Sequence, residues 1–199
     1  DKDRSKTEEK EIEMTVMTMS ARATRHRDNN GIKVDADLRK AFPAVFASRR
    51  SVHVSDDYQM YRSDQVIDIM QDNGMKLVEI GQERIGWSQK RHDHTQIHML
   101  RFREASLNLD EFGVNDSFPE IIVRNSHDGR CRFAAEAGVF RLICSNGMVV
   151  ADTSLGSVRR RHYGEANAFA KVKDILAELP QVTAKVSKVI KTWDSLTLD

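Results

Sequence analysis

His127 and Asp128 are adjacent in the run Asn125-Ser126-His127-Asp128-Gly129, where a turn can bring two neighbouring side chains to one point. An imidazole beside a carboxylate suits a general base, or a metal ligand with its orienting partner. The same residues also make ordinary turn chemistry. Asn125 and Asp128 can satisfy turn amides, Gly129 can take a positive φ, and His127 can hydrogen-bond across the hairpin. His92, His94 and His98 form a second group that would share one face of a strand. Zinc needs ligands about 2 Å from one ion, yet His94 and His98 lie about 13 Å apart on a straight strand. On a helix they would be close, but Thr95 stands where a helical zinc-protease motif has glutamate. No metal is expected from these three alone, and a structural pairing of His98 with His127 is the expected arrangement. Cys144, between Ile143 and Ser145-Asn146-Gly147, has the setting of an inert packed thiol before a turn. Gly156 and Gly164 lack the lysine and spacing of a phosphate loop. No cofactor is expected.

The arginines form the richer pattern. Arg101 and Arg103 share a strand face, and Arg124, Arg130, Arg132 and Arg141 come from adjoining segments. With Arg159, Arg160 and Arg161 they could line a groove along a sheet, neutralising phosphates while Tyr163, Phe133 or Trp87 stacks bases. The alternative is internal pairing with Glu104, Glu120, Glu136 and Asp152, each pair contributing little at a surface.

The elements that must position these residues are legible from periodicity. Residues 1–30 open with an almost wholly charged stretch, expected to be a mobile tail or frayed helix, followed by Met14, Met17 and Met19 at a spacing that suits a helix face or a flexible contact surface. Residues 31–165 form the expected core domain. Asp35 or Asp37 caps a short helix that Pro43 limits. Val52-His53-Val54 alternates like a strand. Ser63 is the expected N-cap of a helix with Val66, Ile67, Ile69 and Met70 on one stripe, stopped at Asn73-Gly74. Strands follow from Leu77 towards Trp87 and over Thr95–Arg103, with His98, Leu100 and Phe102 on one face and Met99, Arg101 and Arg103 on the other. Residues 104–117 have a loop composition. Pro119–Arg124 and Cys131–Ala134 are strands flanking a tight Asp-Gly hairpin. Val139–Cys144 is a buried strand or a helical turn, and a strand begins at Met148 after Asn146-Gly147. Residues 166–199 are a helical segment, with Phe169, Val172, Ile175, Leu176 and Leu179 on one face, interrupted at Pro180, then Val182, Val186, Val189 and Ile190. The fold class is α+β: an antiparallel sheet followed by a long interrupted C-terminal helix.

The chain has 199 residues with 40% hydrophobic and 31% charged, and a net charge of +1. That composition is globular and excludes a disordered chain. No apolar run approaches the roughly 20 residues of a membrane span. The start, Asp1-Lys2-Asp3-Arg4, has no apolar core of a secretory signal. With two cysteines and no metal spacing, reduced thiols in cytoplasm are expected.

The run from Phe118 to Val150, FPEIIVRNSHDGRCRFAAEAGVFRLICSNGMVV, resembles the signature of the phage- and plasmid-associated domain-of-unknown-function 932 family, with the closer likeness to its enterobacterial YafZ/YfjQ-type members of prophage-like islands. His94-Thr95, His98-Met99-Leu100-Arg101 and Ala41-Phe42-Pro43-Ala44-Val45-Phe46 resemble the family's upstream segments, so the likeness spans roughly residues 38 to 165. It implies mobile-element biology and no assigned activity. The strand-then-helix layout is also that of the single-strand-annealing proteins of the Rad52 superfamily, a fold-level analogy. The leading expectation is a non-enzymatic protein that binds single-stranded DNA through a basic sheet face as a homo-oligomer. The next is a protein-interaction factor that blocks a host defence complex, and the third a metal-dependent nuclease using His127 and Asp128.

Overall fold

The computed structural model describes residues 16–17, 23–84, 94–107, 117–142, 149–163 and 168–194. Its elements are β1 (Val16–Met17), β2 (Thr24–Arg27), α1 (Ala36–Ala41), α2 (Ser63–Asp72), β3 (Met75–Gln82), β4 (His98–Glu104), β5 (Ser117–Asn125), β6 (Phe133–Leu142), β7 (Val149–Arg160) and α3 (Ala168–Asp194). The seven strands form one sheet in the order β1-β7-β6-β5-β4-β3-β2, with all neighbours antiparallel. This is the expected α+β architecture.

Alternation divides the sheet into two faces. Leu100 and Phe102 of β4, Ile121 and Val123 of β5, and Phe133, Ala135 and Ala137 of β6 are buried in one cluster with Val66, Ile67 and Met70 of α2 and Val172, Leu176 and Leu179 of α3. The helix stripes therefore face the sheet, and removal from water contributes roughly 1.5–3 kcal/mol for each large side chain. The other face carries a smaller cluster of Met99, Ile122, Ala134 and Phe140, and beside it a row of charges.

That row depends on a bulge. Leu77 pairs with Phe102 and Glu79 with Arg101, which leaves Val78 as an extra residue in β3. In a regular strand Leu77 and Glu79 would share a face. The bulge separates them, so Leu77 stays in the helix-side cluster while Glu79 faces Arg101. Glu79 Oε2 accepts from Arg27 Nε at 3.0 Å and from Arg101 Nη1 at 2.7 Å. Glu120 accepts from Arg101 Nε at 2.9 Å and from Arg103 Nε at 3.1 Å. Arg101 and Arg103 are 4% and 3% exposed, and Glu120 is fully buried. Two arginines expected on an open basic face are thus inside the sheet, neutralised by carboxylates.

Other expectations are refined. Asp35 caps α1, its Oδ1 accepting from Leu38 N at 2.9 Å. Ser63 is not the cap of α2: Arg62 occupies that position, and the Ser63 hydroxyl is used elsewhere. Asn73 and Gly74 do end α2, with Gly74 at φ +79°. Val52–Val54 is not a strand, because its amides turn back on Ser51 (His53 N to Ser51 Oγ at 3.3 Å, Val54 N to Ser51 O at 3.4 Å) and leave no ladder. Met17 lies in β1, paired with Val149, so it is on a strand and not a helix; Met14 and Met19 lie outside the described residues. Val139–Leu142 is strand, while Ile143 and Cys144 lie outside the described residues. Helix α3 runs through Pro180 without a break. Thr183 Oγ1 donates to Pro180 O at 2.9 Å and Ser187 Oγ to Thr183 O at 3.1 Å, and the packed stripe on the sheet holds the turns on the Leu176 side in line.

Because Glu120 serves both Arg101 and Arg103, Glu120→Ala leaves two buried guanidiniums short of a counter-charge. The expected loss is about 3–5 kcal/mol in urea unfolding at neutral pH. A loss below about 1 kcal/mol would mean that the pair behaves as a solvated surface bridge.

Candidate functional site

The site is built on the connection between β5 and β6. The expected tight hairpin is instead a wide loop, residues 126–132, since the last paired residues are Arg124 and Ala134. The positive φ of Gly129 is present, at +78°. The loop is wide because its polar side chains turn inward. Asn125, Ser126 and His127 are fully buried and Asp128 is 8% exposed. Asn125 Nδ2 donates to Tyr61 O at 2.7 Å and to Ser63 Oγ at 2.9 Å, while its Oδ1 accepts from Ser126 N at 2.9 Å. Tyr58 donates its hydroxyl to Ser126 O at 2.8 Å. His127 N donates to Thr95 O, and His127 O accepts from Ser51 N, both at 2.8 Å. The loop therefore fastens the irregular segment 51–62 and the start of β4.

His127 and Asp128 do not form a catalytic pair. Both Asp128 oxygens are taken by Arg130, from its backbone N at 3.0 Å and from Nε at 2.6 Å. Neither ring nitrogen of His127 has a partner at hydrogen-bond geometry, although the Ala44 backbone lies close enough to favour its charged form. Its ring lies 4.9 Å from that of His98, so the expected pairing is one of packing. His98 is hydrogen-bonded on both sides: Nδ1 to Gln96 O at 2.9 Å and Nε2 to Ser63 Oγ at 2.7 Å. A carbonyl only accepts, so Nδ1 carries the hydrogen and Nε2 accepts from Ser63. Serine and histidine at this distance would suit nucleophile and base, but Ser63 is fully buried and His98 is 1% exposed, leaving no room for a substrate. His94 is exposed, outside β4, and His92 lies outside the described residues. Among the described residues no group of three or more His, Cys, Asp or Glu could hold a metal ion.

The arginines converge where the catalytic candidates do not. Arg124 of β5, Ala134 of β6 and Arg159 of β7 are in register across three strands. The small Ala134 leaves space between the two guanidiniums. Arg130 and Arg132 from the loop and Arg161 just beyond β7 close the surround of a groove of about 620 Å³, with Cys131, His162 and Tyr163 also lining it. The five arginines are not equivalent. Arg130 is committed to Asp128 and to Glu83 at 3.1 Å, and Arg159 lies 3.5 Å from the buried Glu136. Arg132 and Arg161 are exposed, and they and Arg124 have no carboxylate partner among the described residues. Arg124 Nε is buried with no hydrogen bond. Arg160, adjacent in strand to Arg159, is on the opposite face, near Tyr61, and does not line the groove. The Arg141 backbone pairs within the sheet, and its side chain lies outside the described residues. Of the stacking candidates, Tyr163 is 50% exposed, Phe133 is fully buried and unable to meet a base, and Trp87 lies outside the described residues. Burial pushes the Cys131 thiol up, against the pull of Ser126 and Arg124, so it is a protonated wall residue and not a nucleophile.

Nothing in the sequence marks Tyr58 or His162 as site residues. A serine before a helix suggests a cap, and nothing local marks the use of Ser63 by Asn125, a residue far along the chain.

The buried histidines set a pH dependence of stability. Burial lowers His98 to about 4, with the Gln96 carbonyl and Asp128 opposing the shift. Burial also lowers His127 well below the ordinary value, and His98 and His162 add to it. The unfolded chain takes up these protons near about pH 6.5 and the folded chain only at lower pH. Stability is therefore full above about pH 6.5 and falls as pH drops towards about 4, by up to about 1.4 kcal/mol per pH unit for each proton difference. Thermal melting across this range should show the fall, with a shallower slope in His98→Asn. A melting temperature unchanged down to about pH 5 would contradict it.

The Domain of unknown function (DUF932) family matches residues 52–199, which takes in the groove and α3. The UPF0380 proteins YfjQ and YafZ of Escherichia coli (strain K12) are each 32% identical to the chain over 130 residues, 65% of this chain and 44% of each relative. The chain thus spans less than half the length of the curated relatives it matches. No solved structure matches it. With its whole β3–β7 sheet and α3 inside the matched region, the chain belongs to the DUF932 family.

Proposed function

We propose that the arginine groove binds single-stranded nucleic acid, as part of DNA annealing or recombination by a mobile element. The supporting observation is the convergence of five arginines from β5, the β5–β6 loop and the end of β7 around one groove with an exposed tyrosine at its lip. Guanidiniums neutralise phosphates without reading sequence, and an exposed ring stacks on unpaired bases, a combination suited to single strands. A duplex keeps its bases stacked internally and offers Tyr163 nothing. The mobile-element setting rests on the family likeness, and the annealing role on the strand-then-helix layout shared with the Rad52 superfamily.

The test is fluorescence anisotropy of the full chain with oligothymidylate, and with a duplex of equal length, across a salt series. Three arginines with no carboxylate partner among the described residues imply a slope of about −2 in log K against log salt. Single strands should bind more tightly than duplex. Arg161→Ala and Arg132→Ala should each weaken binding about fivefold to tenfold with a shallower salt slope. Arg160→Ala, one residue away on the opposite face, should leave binding unchanged. Absence of binding at low salt, or equal effects of the two neighbouring arginine variants, would overturn the assignment.

A further inference from the structure

His162 lies at the inner wall of the groove, and the arginine reading of the groove gives it no task. It is 3% exposed. Its ring stacks on Tyr58 with centroids 4.6 Å apart and planes 12° apart, and meets Tyr61 at 4.8 Å. Nδ1 lies 2.9 Å from the Gln59 carbonyl oxygen, so Nδ1 carries the hydrogen. Nε2 is buried and has no hydrogen-bond partner, although the Cys131 backbone lies near enough to favour a charged ring. In the neutral ring Nε2 is a lone pair that meets no donor, a costly arrangement for a buried polar atom. In the charged ring both nitrogens become donors, one to Gln59 and one towards the Cys131 side of the groove.

The groups around the ring decide which form prevails. Tyr58 and Tyr61 sandwich it and stay neutral. Asp128 in the β5–β6 loop favours the charged form. His98 of β4 and His127 of the loop are both neutral through burial and add no charge above about pH 6.5. Cys131 is protonated. Opposing protonation is the loss of solvent, and the guanidiniums of Arg124, Arg130, Arg132, Arg159 and Arg161 line the same groove. A phosphate seated among those guanidiniums neutralises them and adds negative potential beside the ring, reversing the balance.

We infer that anion binding in the groove is coupled to protonation of His162, so that the protein takes up a proton when it binds a nucleic-acid backbone. The ring between Tyr58 and Tyr61 then joins segment 51–62 to the Cys131 side of the β5–β6 loop, tightening the wall that carries Arg130 and Arg132. This rests on the reading of the groove as a phosphate site. The linkage sign is fixed: if the complex holds the proton more firmly than the free protein, affinity rises as pH falls.

The experiment is calorimetric titration of the full chain with oligothymidylate at about pH 6.5, in buffers of differing ionisation enthalpy, which counts protons without any variant. Net uptake of up to about half a proton is expected, the most that one unit of pKa difference gives. Affinity should tighten roughly tenfold between about pH 8 and pH 5.5, the factor that one unit of pKa difference supplies. Arginines and phosphodiesters do not titrate in that range. In His162→Gln both the uptake and the pH dependence should vanish. Binding without proton uptake overturns the coupling and leaves the groove assignment standing. Uptake that persists in folded His162→Gln places the proton elsewhere and also overturns it. No binding at any pH removes the groove assignment and the coupling with it.

Discussion

The burial of the β5–β6 loop is the constraint from which the site follows. Four consecutive residues, Asn125 to Asp128, place polar groups inside the protein, and a buried polar group without a partner costs about 1–3 kcal/mol. Asn125 meets this by reaching Tyr61 and Ser63, Ser126 by taking the Tyr58 hydroxyl, and His127 through its backbone to Ser51 and Thr95. Segment 51–62, which has no helix or strand of its own, is ordered by these bonds. Tyr58 and Tyr61 then fix His162, and with it the chain as it leaves β7. One loop thus sets both ends of the groove.

The same side-chain type meets opposite fates on one sheet face. Arg101 and Arg103 are consumed by Glu79 and Glu120 in the middle of the sheet. Arg124, two strands from the bulged β3, has Ala134 beside it in register and no carboxylate. The division is geometric. The bulge at Val78 delivers Glu79 to the central strands, while the row through Arg124, Ala134 and Arg159 contains no acid. Among the described residues, Arg124, Arg132 and Arg161, over β5–β7 next to the loop, keep no carboxylate partner.

Local signals suffice where the chemistry is local. The Asp35 cap, the Asn73-Gly74 stop, the alternation of β4 and the apolar stripes of α2 and α3 all depend on residues within a few positions of each other. A serine ahead of a helix is a good cap in isolation, but Asn125 and His98 from other strands draw the Ser63 hydroxyl away. Pro180 predicts an interruption because its missing N–H is a local fact, whereas the packing that keeps α3 continuous is not. The Asp128-Gly129 pair predicts a tight turn from local chemistry, whereas the burial of Asn125 to His127 that widens the loop comes from contacts far along the chain.

From the sequence alone came the family, the α+β class, the strand-then-helix order and the presence of clustered arginines near the β5–β6 loop. Periodicity and turn chemistry act over a few residues, so they are written in the order of the chain. Which arginines keep their charge exposed was decided only in three dimensions. Ion pairing across strands depends on register, and here a single extra residue, Val78, turns Glu79 towards Arg101. Neither the charge count nor the spacing of the arginines contains that information, because the partners that neutralise them come from other strands.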